Sequence, residues 1–231
     1  MNSNRRRFIK NSALATAAIG SIPMFMEACA SPGERIGVAL IGCRSMGFSN
    51  LKSFLLKDNN VDCVALCDVD SNILESKASE VEKMTGKRPV LYSDFRKVLD
   101  NKEVDAVIIG TPDHWHAYMM IAALDAGKHV YVEKPMAHSI EECHTMVKAS
   151  QKHPSLGVQV GMWQRSSKHW FEAADIVKSG QLGDVHLVKA WIYKGYDKPY
   201  PAIEDSEAPS YVDYDMWLGP APVRPFNANR F

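Results

Sequence analysis

Neither sign of charge is in excess: 27 lysines and arginines offset 27 aspartates and glutamates, for a formal net charge of zero. That balance leaves no electrostatic footing for nucleic acid or an acidic membrane surface as partner. Cysteine is scarce, five residues in 231, and no spacing matches a zinc ribbon. Long apolar runs are missing too. The best candidate, Ser12 to Met26, is interrupted by Gly20 and Pro23 and is short for a spanning helix. What remains is 46% hydrophobic and 23% charged, enough apolar material for a packed core of one large or two modest domains.

The first thirty residues stand apart from that core. Arg5 and Arg6 precede Phe8, Ile9 and Lys10, and the mildly apolar run after them ends at Ala28-Cys29-Ala30, a small-residue cleavage pattern. The stretch resembles a twin-arginine export signal, which carries folded proteins to the periplasm. A cut before Cys29 would instead leave a lipid-anchoring cysteine, and a basic helix that stays attached is the plainer alternative. Removing residues 1–30 takes away four basic residues and one acid, leaving a net charge of −3 and no expected membrane span. Cys43, Cys63, Cys67 and Cys143 then remain, and along a strand Cys63 and Cys67 suit small buried hydrophobes better than a metal.

From Arg35 onward, short β-branched runs alternate with helical periodicity, the mark of βαβ units and a parallel sheet. Strands are expected at Ile36–Gly42, Val61–Asp70, Pro89–Ser93, Val104–Gly110, around Val130–Val132 and at Gly157–Gly161, with helices between them. Six strands and five helices make a doubly wound α/β domain over residues 35–161. A partial α+β domain follows over 162–231, with a helix at Ser167–Gly180 and an antiparallel strand at Asp184–Lys194, the rest reading as loop. One strand and one helix cannot make a stable sheet, so this second domain reads as incomplete.

Three motifs fall at strand ends. "IGCRSMGFSN" follows the first strand and opens a helix, and it matches G-x-G-x-x-G at Gly42 and Gly47 with Arg44 in the middle place. Gly42 suits the tight turn and Gly47 the close helix–strand packing. Arg44 would set a guanidinium against phosphate oxygens, beside Ser45 and Met46 at the helix N-terminus. Asp68 ends the second strand, where a carboxylate takes the adenosine ribose hydroxyls and repels a 2′-phosphate, so NAD is preferred over NADP. A tight turn and a strand-end cap are the plainer explanations of loop and acid taken singly.

"GTPDHWH" follows the fourth strand. A bound cofactor would place Thr111 and Pro112 along its ribose and nicotinamide, with His116 near the substrate. His114-x-His116 as a metal pair lacks further clustered ligands, so no metal is assigned; helix capping by Asp113 is the ordinary alternative. The fifth strand ends in Glu133-Lys134-Pro135. Proline disfavours helical geometry in the residue before it, so Lys134 is held extended at the carboxyl edge of the sheet. Partly desolvated there, its amine would bond a reacting hydroxyl or developing alkoxide, with Glu133 beside it. A surface lysine is the alternative.

With these segments in place, the chain resembles the Gfo/Idh/MocA oxidoreductases through "ALIGCRSMG", "CDVD", "TPDHWH", "AGKHVYVEKP", "SGQLGDVHLVKAW" and "YDMWLGPAP". The resemblance implies NAD held by the glycine loop and Asp68, with Lys134 assisting hydride transfer at a secondary hydroxyl of a sugar, glycoside or polyol. It puts Gln164 and Arg165 near cofactor or substrate, and it implies a homo-oligomer. It also implies a histidine base beyond Phe231. Two other functions stay open: an NAD-dependent glycosidase that oxidises its sugar transiently, whose relatives tend to lack this lysine, and a non-catalytic nucleotide-binding fragment.

Overall fold

A computed structural model describes residues 35–57, 60–191 and 201–231. The export-signal segment and Cys29 lie outside the described residues, as does the end of the expected strand at Ile192–Lys194. Six parallel strands form one sheet in the order β3-β2-β1-β4-β5-β6. They are β1 (Ile36–Ile41), β2 (Val61–Cys67), β3 (Val90–Tyr92), β4 (Ala106–Ile109), β5 (His129–Val132) and β6 (Val158–Val160). Between them run α1 (Ser45–Lys57), α2 (Ser71–Thr85), α3 (Phe95–Asp100), α4 (His116–Asp125) and α5 (Ile140–Lys152). The order reverses direction between β1 and β4, and the carboxyl ends of those two strands open a crevice where ligands bind in such sheets.

Alternation along each strand explains the two-sided burial. Val38 and Leu40 point into a core with Phe48 and Leu51 of α1 and Leu74, Ala78 and Val81 of α2. Ala39 and Ile41 point to the opposite face, packed with residues of α3, α4 and α5. Both faces are thus covered by helices, which is why these strands read as continuous apolar runs. Each fully buried leucine or isoleucine there, such as Leu40, Leu66 or Ile108, contributes roughly 1.5–3 kcal/mol.

Helix ends carry their own signals. Asp70 caps α2 by accepting from the amides of Asn72 and Ile73, and Gly86 closes it at φ 74°. Ser139 and Glu142 form a reciprocal capping box on α5.

After β6 the structure departs from expectation. A short 3₁₀ turn (Trp163–Ser166) and helix α6 (Lys168–Lys178) are present, but Asp184–Trp191 carries no strand. The alternating pattern is there, yet no partner strand pairs with it among the described residues, and a lone strand has no ladder to hold it. The C-terminal stretch is more ordered than its proline and acid content suggested. It forms α7 (Tyr214–Leu218) and a small core of Val212, Tyr214, Leu218 and Phe226.

Candidate functional site

Bonds from backbone amides tie the β1–α1 turn to the end of β2 and fix Asp68 between them. The Gly42 amide donates to the Cys67 carbonyl at 2.8 Å. The Cys43 amide donates to Asp68 Oδ2 at 2.7 Å, and the Asp70 amide donates to Asp68 Oδ1 at 3.0 Å. Asp68 therefore braces the turn as well as facing the crevice. Burial pushes its carboxyl above the usual aspartate range, while the bonds from the Asp70 and Cys43 amides pull it back. Gly42 sits at φ +88°, and a Cβ on it would lie 2.7 Å from the backbone of Gly110 and Thr111. Gly47 and Gly110 meet in the same place. The β1 and β4 turns thus touch through backbone, leaving a cradle at the α1 N-terminus, whose first amides lack intrahelical partners and carry partial positive charge. Ser45 (φ 32°) and Met46 stand at that N-terminus, exposed.

Arg44 does something other than expected. Its Nη2 lies 2.6 Å from Asp70 Oδ2, and its guanidinium sits 4.7 Å from the Phe231 ring centroid. Asp70 is buried, so the guanidinium is held as the counter-charge of a carboxylate that also accepts the Asn72 and Ile73 amides, instead of standing free for a phosphate. Asp70 went unnoticed because the sequence offers it only as the last acid of "CDVD".

A recess of about 360 Å³ opens at this edge. Of the residues expected to bind a cofactor, Gly42, Arg44, Asp68, Thr111 and Pro112 line it. So do Met216 and Trp217, which sequence reasoning missed; the only available signal was the aromatic clustering of "YDMWLG" after an Asp cap. The chemistry is that of a largely apolar slot with the Asp68 carboxylate and the side chains of Arg44 and Arg230 in its lining, beside a helix N-terminus.

The remaining candidates are placed differently. His116 is 1% exposed, with Nδ1 2.7 Å from the Pro135 carbonyl and Nε2 2.9 Å from the Thr111 carbonyl. It is a strut joining the turn after β4 to the turn after β5, and with both ring nitrogens occupied it faces no substrate. Glu133 is buried, accepting from Asn50 Nδ2 at 2.7 Å and from the Lys134 amide at 3.1 Å. Lys134 follows directly at the carboxyl end of β5, in a cis peptide with Pro135. Its side chain is exposed rather than partly desolvated, and it lies outside the recess. Residues 162–191, which follow β6, are almost all exposed and so put no dry cover over the Lys134 turn. Gln164 and Arg165 are likewise exposed, and Gln164 Oε1 accepts from Trp170 Nε1 at 2.7 Å. Among the described residues no three His, Cys, Asp or Glu side chains cluster as a metal site.

Cys43, Cys63 and Cys67 are buried and Cys143 is half-buried. Burial drives the Cys43 and Cys67 thiols far up, and Cys63 to about 12. Since thiolate is the reactive form, Cys143 should be labelled by a thiol reagent at pH 8 while these three react only on unfolding. Mass spectrometry of native and urea-unfolded protein checks this.

Comparisons with known proteins converge on this geometry. Residues 36–162 match the model of the oxidoreductase family with an NAD-binding Rossmann fold, Gfo/Idh/MocA, and residues 172–231 match its C-terminal alpha/beta domain. A glycosyl hydrolase family 109 protein of Shewanella sp. strain ANA-3 is 30% identical over 65% of the chain and 38% of its own length. Inositol 2-dehydrogenase of Salmonella paratyphi B is 28% identical over 69% of the chain and 46% of its length. Scyllo-inositol dehydrogenase of Lactobacillus casei, solved with NAD(H) and scyllo-inositol, superposes with a TM-score of 0.57 at 27% identity, over 65% of this chain and 43% of that one. The chain spans less than half the length of these relatives.

Proposed function

The chain belongs to the Gfo/Idh/MocA oxidoreductase family, and we propose that it oxidises a secondary hydroxyl of a sugar or cyclitol, passing hydride to NAD. The carrying observation is the shared edge. The Asp68-lined recess, the glycine cradle and the Lys134 turn all lie at the carboxyl ends of β1, β2, β4 and β5, and His116 ties the last two turns together. The residues fit NAD: glycines at 42 and 47 let the β1 and β4 turns close on each other at the α1 N-terminus, where a side chain would strike backbone, and the recess beside them is lined by Gly42, Asp68, Thr111 and Pro112. When bound, NAD supplies the hydride acceptor.

Asp68 would hold the adenosine ribose, and the cradle with Thr111 and Pro112 the groups beyond it. Lys134 would then donate a hydrogen bond to the substrate hydroxyl and stabilise alkoxide charge as it develops, the hydroxyl proton passing to the histidine base that the family resemblance implies. Asp68→Asn removes one carboxylate lone-pair set and the negative charge. It should weaken NADH roughly tenfold to a hundredfold, the loss of a hydrogen bond to a charged group, and narrow the preference for NADH over NADPH. Calorimetric titration of both nucleotides reads this, and unchanged NADH affinity would remove Asp68 from the site.

The glycosyl hydrolase family 109 relative supports a second function, glycoside cleavage through transient oxidation. Product analysis separates the two: a ketosugar with stoichiometric NADH for the dehydrogenase, a free aglycone with cofactor unchanged for the glycosidase. Export through Arg5-Arg6, to the periplasm or to a lipid anchor at Cys29, belongs to the same proposal. So does a homo-oligomer, consistent with exposed Trp170, Phe171, Ile176 and Val177 on α6. No described helix is long and apolar enough to cross a membrane.

A further inference from the structure

Residues 211–218 are fastened on both sides of the recess. On one side the Asp213 amide donates to the Val69 carbonyl and the Ser71 amide to the Tyr211 carbonyl, each at 2.9 Å. Asp70 and Val212 form an antiparallel bridge between them. On the other side Trp115 Nε1 donates to the carbonyls of Met216 (3.0 Å) and Trp217 (3.1 Å), and His114 Nε2 lies 2.9 Å from the Trp217 carbonyl. Asp213 caps the short helix through the Met216 amide at 3.0 Å. The Trp217 ring is held too, stacked on Tyr214 with centroids 5.5 Å apart and planes at 15°. Helix α7 is therefore a strap tied to the turn after β2 and to the turn after β4, with its own small core behind it.

Met216 and Trp217 line the same recess as Asp68, Val69, Thr111 and Pro112. Its volume, about 360 Å³, sits at the lower end of small-ligand sites and suits one half of a dinucleotide. An aromatic wall and a thioether favour a flat base over a polyol, because every base offers a face for stacking. The Asp68 carboxylate in the lining suits the paired hydroxyls of a ribose. We propose that the α7 strap is a cofactor-binding element, with Trp217 and Met216 forming the wall against which the adenine ring of the dinucleotide rests. The inference rests on the NAD reading and adds to it that adenine recognition comes from residues outside the Rossmann sheet.

Titrating ADP-ribose and, separately, nicotinamide mononucleotide into the full chain by calorimetry tests this. In Trp217→Ala, ADP-ribose should bind roughly tenfold to a hundredfold more weakly, the range for losing one base–aromatic stack. Nicotinamide mononucleotide should be unaffected, and Trp217→Phe should restore most of the ADP-ribose affinity. Unchanged ADP-ribose binding in Trp217→Ala, or equal loss for both ligands, overturns the proposal. Wild-type protein that takes up no ADP-ribose at all sinks the NAD reading itself, a different failure. Should Trp217→Ala not fold, hydrogen exchange on the wild type decides: ADP-ribose must slow exchange across 211–218, and unchanged exchange there counts against the strap.

Discussion

Lys134→Ala should leave NADH bound with near wild-type affinity while lowering hydride transfer by roughly 10²–10⁴-fold, the span for removing a positioned proton-transfer or charge-stabilising group. The lysine is fixed at its base and free at its tip. Before it stands buried Glu133, anchored to Asn50 at 2.7 Å; after it stands Pro135, whose carbonyl is 2.7 Å from His116. The backbone of the turn is therefore held from α1 and from α4, and the exposed amine is available to a substrate hydroxyl. Single-turnover formation of NADH from a cyclitol or sugar that the wild type oxidises separates rate from binding. Rate and affinity falling together would make Lys134 a binding residue only, and an unaltered rate would remove it from the chemistry.

Gly47→Ala should have the largest effect on the fold. A methyl there would run into the Gly42 carbonyl oxygen and come within 3.3 Å of Gly110 Cα and Leu40 Cδ1. Two of those neighbours are backbone and the third is a fully buried leucine, so nothing nearby yields cheaply. Overpacking of this kind costs about 3 kcal/mol, occasionally more, and it prises apart the two turns that form the cradle, so NADH binding should fall with stability. Gly86→Ala is the control. That glycine has φ +74° but open space around it, so only the left-handed backbone penalty of about 1–2 kcal/mol applies, and NADH binding should be retained. Urea denaturation and NADH titration of both variants give the comparison. Equal destabilisation would mean that close packing at Gly47 is not what the turn requires.

How much of this was legible beforehand follows from where the determinants lie along the chain. The Rossmann sheet was readable because its signals are local: "IGVALI" and "VDCVALC" are apolar runs rich in β-branched residues, and their strands are covered by helices on both faces. Strand boundaries moved where side chains took tertiary roles. The second strand stops at Cys67, ahead of the expected Asp70, because Asp68 turns to accept the Cys43 amide.

Roles that depend on distant partners were not readable. Nothing local announces that Arg44 pairs with Asp70, that His116 spans two turns, or that Trp217 returns from 102 residues away to Trp115. The expected strand after Gly183 had the right alternation but no neighbour among the described residues, and strand structure is a property of pairs. The exposure of Lys134 is of the same kind, since what covers a strand end is set by other segments of the chain.

The central claim is that NAD lies along this edge with its reactive ring beside the Lys134 amine. Acetylation of lysines by a limiting dose of acetic anhydride, read residue by residue by mass spectrometry with and without saturating NADH, tests it directly. Lys134, exposed in the free protein, should be labelled readily alone and protected by NADH, while exposed Lys102 on the loop before β4 reacts equally in both. NADH bound at saturation with Lys134 acetylated as fast as before would contradict the account.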